Sequence, residues 1–204
     1  TPCRRSSACS CAGKPCAGGR PYPAVKLSPN AHISGARGSA EAGAAFDRAV
    51  ELSDQNKHTE AEAAFADLIT KAPSGYRNLA RLRMAAEVAT RDQPAAAKLY
   101  DEIAADRSVG GPGQDLARIR AAQILMDTTT YPNMQQRLEG MATSKDSTFR
   151  HSARELLALS AWHANDATAA RQWLDQIAND GETPPSLRSR AEALQALLPP
   201  VAKS

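Results

Sequence analysis

Three sets of side chains in this 204-residue chain could carry chemistry: four cysteines, four histidines and a periodic run of arginines. Cys3, Cys9, Cys11 and Cys16 crowd one end. Their intervals are not a repeated CxxC, and the nearest histidine, His32, lies sixteen residues beyond Cys16. Zinc needs four convergent ligands and a disulfide pair needs a framework around it. The spacing offers neither, so a thiol-bearing tail is expected, with no metal and no cofactor. His58, His151 and His163 have no Ser or Cys placed for activation, so each reads as a surface or packing histidine. An enzyme would need a cleft gathering His151, His163 and nearby acids. HExxH, P-loop and GxGxxG patterns are missing, and Gly110-Gly111-Pro112-Gly113 has no Lys-Ser/Thr behind it. That glycine run reads as a hinge.

The arginines are the repeated polar feature. Arg81, Arg118 and Arg154 stand 37 and 36 residues apart, and Arg83 and Arg120 follow two residues later in two of the three places. Guanidinium forks on a concave face would suit the carboxylates of an acidic or C-terminal peptide. The alternative is a solvated ladder pairing with Asp67, Asp101, Glu139 and Asp175, worth little per pair. Charge reversal at Arg118 separates the two: partner binding is lost in the first case, and stability shifts slightly in the second.

Helices must position these groups. Residues 76–107 read as two amphipathic helices joined by a polar turn, with Leu79, Leu82, Ala86 and Ala89 on one stripe and Ala97, Tyr100, Ile103 and Ala104 on the other. Asp92 suits an N-cap and Pro94 a first helical turn. Such a pair cannot bury both apolar faces alone. Its relatives are present: Phe65, Tyr100, Leu138 and Leu174 are bulky anchors of successive second helices, spaced 35, 38 and 36. Four places earlier stands a small residue, Ala61, Ala96 or Ala170, with Met134 in that place in the third row. First helices align at Ala80, Ala117 and Ala153. Helix pairs at this period predict an all-α, tetratricopeptide-like solenoid of about four antiparallel pairs plus a C-terminal capping helix. Val and Ile never alternate with polar residues, which argues against strands.

The pairs are expected at about 39–71, 76–107, 114–143 and 148–179, with a cap at 186–198. Ser39 and Thr59 are expected to cap helices, Thr59 with Glu62 as a capping box. Trp162 and Trp173 are expected to be the largest core pieces of the fourth pair. The domain plan is a tail over 1–38, a helical-repeat domain over 39–198 and a short tail over 199–204.

The net charge of +3 hides a division. Residues 1–38 carry six Lys/Arg and no acid, leaving 19 basic against 22 acidic residues elsewhere, or −3. A folded nucleic-acid binder would concentrate cations on its folded surface, so no nucleic-acid partner is expected. The 1–38 segment has no continuous apolar core for a signal peptide or membrane span. Its Cys/Pro/Arg-rich composition fits a loosely attached tail or a misassigned start.

Residues 61–68, 76–85 and 151–155, with Ala161-Trp162, resemble bacterial tetratricopeptide-like proteins grouped with the ancillary SecYEG translocon subunit, in their alphaproteobacterial form. The resemblance covers about residues 41–198. It implies a non-enzymatic scaffold that binds protein or peptide, with the translocon or periplasmic chaperones as partners. It also implies a membrane helix before Glu41 and repeats exposed to the periplasm. The Cys/Pro/Arg-rich segment stands in that helix's place, so membrane association requires an anchor preceding Glu41, and the chain as given would be soluble. A self-associating helical module is the other binding reading.

Overall fold

Residues 29–199 are described by the computed structural model, with side chains from residue 38 onward. The cysteine cluster lies outside them. Nine α-helices follow one another among the described residues, with no strand: α1 Pro29–Asp54, α2 His58–Lys71, α3 Ser74–Ala89, α4 Gln93–Ala105, α5 Gly111–Ile124, α6 Tyr131–Thr143, α7 Arg150–His163, α8 Ala167–Ala178 and α9 Pro185–Leu197. They form four hairpins in file, closed at the C-terminal end by α9, and the architecture is a helical solenoid.

Small residues set the stacking in three of the four pairs. Ala61, Ala96 and Ala170 are buried, with the large Met134 in the equivalent place of the third pair, as are the anchors Phe65, Tyr100, Leu138 and Leu174 four residues on. Ala80, Ala117 and Ala153 are fully buried on the first helices. Gly43 extends this column into α1: a methyl group there would stand 2.8 Å from the Tyr76 hydroxyl. Each small residue lets a neighbouring helix come close enough for larger side chains to interlock. Burial then falls into three apolar clusters in series: one over α1–α3, one centred on α4 with α3 and α5, and a large one over α5–α9.

Hairpin turns rest on local backbone chemistry. Asn56 and Asn165 adopt left-handed conformations, φ 60° and 59°. Each sits where Lys57 N–H reaches Leu52 O and Asp166 N–H reaches Ala161 O, both at 2.9 Å. Asparagine tolerates this helix-ending geometry better than other L-residues. Asp92 and Asp166 then cap α4 and α8, accepting from Ala95 N and Ala169 N at 2.9 Å.

Several local features differ from expectation. Helix α1 already covers Pro29–Asp54, so part of the expected tail is helical and Ser39 lies inside a helix. No proline interrupts residues 30–54. Thr59 lies within α2, whose start has no side-chain cap. The supposed hinge at Gly110–Gly113 is a helix start: Gly110 takes φ 83° and residues 111–113 open α5 against Val109. Trp173 is buried and its indole N–H donates to Tyr131 Oη at 2.9 Å, whereas Trp162 remains 38% exposed. Trp162 belongs to the last turn of α7, on the side where Leu159 and Leu194 lie beside it, whereas the adjacent Ala161 is fully buried.

Candidate functional site

The stripe Leu79, Leu82, Ala86 and Ala89 is not the core face of α3. The buried face holds Ala80, Ala85, Glu87 and Val88. Leu79 is 49% exposed, and the stripe lines an open groove of about 620 Å³. Phe46 of α1 closes one side, and Leu116, Arg120, Gln123 and Ile124 of α5 form the other. Tyr100 of α4 makes the floor, its hydroxyl donating to Leu82 O at 3.3 Å. Helix α3 can carry two apolar stripes because a solenoid helix packs against neighbours on its flanks while its front stays open.

The five arginines divide between two faces. Residues two apart on a helix point about 200° away from each other, so Arg81 and Arg83 cannot share a surface. Arg83 and Arg120 are exposed and line the groove. Arg120 Nη1 donates to Gln123 Oε1 at 3.2 Å; among the described residues neither cation is in an ion pair. Both guanidiniums act on the Tyr100 phenol: burial pushes its pKa up, Arg120 and Arg83 pull it back, and the buried Glu87 carboxylate adds a smaller upward push.

Arg81, Arg118 and Arg154 are engaged within the protein. Arg81 donates to Asp106 Oδ2 at 2.6 Å, just past α4. Arg154 donates to Ala142 O, Gln176 O and Asp180 Oδ2 at 2.9, 3.3 and 2.8 Å. Arg118 donates to Asp115 within its own helix at 2.8 Å. Helix C-termini carry unpaired carbonyls and partial negative charge, so cations settle there. Asp106 and Asp180 occupy equivalent positions six residues after the anchors Tyr100 and Leu174; the third repeat has Ser144 there, and Arg118 turns to Asp115 instead. Asp106 is held down to about 2, chiefly by the Ser108 hydroxyl and then by Arg81. Asp180 is held far below the usual carboxylate range by Arg150, the Glu182 N–H and Arg154.

The acids expected as ladder partners do not meet these arginines. Asp67 pairs with Lys71, Asp101 with Arg137 through two bonds of 2.5 and 3.1 Å, and Asp175 accepts from Gln195. Glu139 is exposed. The repeat itself carries a signal for the true partners: Asp106 and Asp180 share one register position just past the second helices.

The histidines do not gather. His151 and His163 are twelve positions apart on α7, about 18 Å along the axis. His151 is buried against Thr183 Oγ1 at 3.1 Å, and burial followed by the neighbouring Arg150 charge lowers its pKa. His58 belongs to a separate cluster: its Nδ1 meets Oε2 of the buried Glu87 at 2.8 Å, and Ser53 Oγ donates to Oε1 at 2.6 Å. The carboxylate lies between the other two groups, so the imidazole does not activate the serine. No group of three or more potential metal ligands occurs among the described residues, and none of their helices is long and apolar enough to cross a membrane.

Residues 34–157 match the family model described as a tetratricopeptide repeat-like domain, well over half of the chain. The match stops inside α7, while the hairpin stacking continues through α8 and α9. No curated protein and no solved structure matches the chain.

Proposed function

This chain belongs to the tetratricopeptide repeat-like domain family, and from that premise we propose that it is a non-enzymatic scaffold binding a protein or peptide in the groove between α3 and α5. Domains of this family generally mediate protein–protein interaction. The observation that carries the reading is Leu79: a large apolar side chain half exposed at the mouth of an apolar groove, on a helix whose opposite face is well buried. Exposed contiguous apolar surface on a folded domain marks a place where something docks.

The finer reading places the scaffold beside the inner-membrane translocon or periplasmic chaperones. Its support is the repeat phrasing of residues 61–68, 76–85 and 151–155. The test is crosslinking from isolated membranes, with captured proteins identified by mass spectrometry, using the wild-type chain and Leu79→Asp. Translocon or chaperone subunits captured by the first and lost by the second are expected. Capture unchanged by Leu79→Asp, or no such subunit at all, overturns it.

Self-association is a second reading, favoured by Trp162 and by Leu197, which is 64% exposed. Both lie near the C-terminal edge, with Leu159 and Leu194 beside Trp162. A mass measurement in solution that stays monomeric at high concentration removes it.

A further inference from the structure

The groove carries a charge pattern as well as an apolar surface. Counting across the first helices, one register position reads Phe46, Arg83, Arg120 and Leu156, at spacings of 37, 37 and 36. Phe46 bounds the groove and Leu156 is buried beyond it. Two cations therefore sit side by side between apolar ends. Packed helices stand about 8–10 Å apart, so forks on α3 and α5 can close on one group between them.

Neither fork is neutralised by a carboxylate among the described residues, in contrast to Arg81, Arg118 and Arg154. Both act on the same Tyr100 hydroxyl, whose hydrogen is already given to Leu82 O. The remaining capacity at this point is for accepting groups: two guanidiniums with free N–H donors above an apolar floor.

We propose that the groove recognises an acidic, amphipathic protein segment: an Asp or Glu carboxylate between Arg83 and Arg120, with bulky apolar side chains on Leu79 and Leu82. This rests on the scaffold reading and names its ligand. The carboxylate supplies specificity, because a segment lacking it leaves two cations facing an apolar surface unpaired.

The test uses the full chain and fluorescence anisotropy. The probe is a labelled peptide of about a dozen residues with two glutamates between Leu and Phe residues. Its controls have Gln for Glu, or Ala for Leu and Phe. The Glu peptide is expected to bind about tenfold or more tighter than the Gln peptide, an effect of charge-assisted hydrogen bonds. Added salt should weaken it, and the Ala control should not bind. The Arg83→Glu/Arg120→Glu double variant should erase the preference, and Arg120→Gln alone should reduce it, with thermal melts confirming the fold. Equal binding of Glu and Gln peptides, an unchanged preference in the variants, or no binding by any peptide overturns the inference. If partner capture is lost with Leu79→Asp yet survives the double arginine reversal, the scaffold reading stands and this one falls.

Discussion

Helices α3 and α7 hold the same place in their hairpins, with Ala80 and Ala153 in matching register, yet they end in different surroundings. Helix α7 is buried on most of its surface: His151, Leu156, Leu157, Ala158, Ser160 and Ala161 are all covered. Helix α3 buries one face and leaves Leu79 at an open groove. The register position that carries Arg83 on α3 carries Leu156 on α7. The repeat positions that set helix–helix spacing are alike; the variable positions between them decide whether the front of the helix is wet. Closure of the C-terminal half is reinforced at Asp180, which accepts from Arg150, Arg154 and Glu182 N–H while its carbonyl accepts from Arg188 of α9.

Truncating one leucine in each half tests this contrast most strongly. Leu157→Ala should cost about 2–5 kcal/mol, the range for a fully buried leucine, and Leu82→Ala well under half of that. Urea denaturation measures both. Equal losses would mean that the groove closes in solution.

Asp180→Ala comes next. It removes the carboxylate that Arg150 and Arg154 share and frees the α8–α9 connection, so a loss of about 1.5–3 kcal/mol is expected from its charged hydrogen bonds. Asp106→Ala should cost less, because one arginine reaches it and its surroundings are more exposed. Similar values for the two would remove the special standing of the C-terminal node.

Acid tests the packing of the C-terminal half by a different route. Folded His151 has a lowered pKa, so the unfolded histidine binds a proton that the folded one refuses. Its contribution is complete above about pH 6.5 and is lost as pH falls toward the folded value. Asp180, also lowered, contributes above about pH 4 and loses that support in stronger acid. Melting temperature should therefore fall in two stages on acidification, and His151→Gln should remove the first. A single stage in both proteins would contradict the assignment.

The smallest effect is expected at the turns. Asn165→Ala places an ordinary side chain at φ 59°, costing about 1 kcal/mol. Asn165→Gly should be close to neutral, and a chemical melt of both variants checks the pair.

Much of the fold was legible in the chain. The anchors Phe65, Tyr100, Leu138 and Leu174, the residues four places before them and the alanine column on the first helices all landed in the interior, because helical periodicity dictates which side chains share a face. The five arginines were legible as a series but not as two surfaces. Their spacing recorded the repeat. A turn of about 200° between neighbours two apart separated the two sets; Asp106 and Asp180 just past the second helices engaged Arg81 and Arg154, Asp115 on its own helix engaged Arg118, and Arg83 and Arg120 were left facing the groove.

Short-range geometry, repeated four times, is enough to set the period, the helix pairs and the residues on which pairs stack, and all of it can be read in one dimension. Three things waited for the folded chain: which apolar stripe stays open, which arginines find carboxylates and where the stack is closed. Apart from the local Arg118–Asp115 pair, they depend on contacts between residues tens of positions apart. The stripe that α3 shows to solvent has the same spacing as a stripe that is buried.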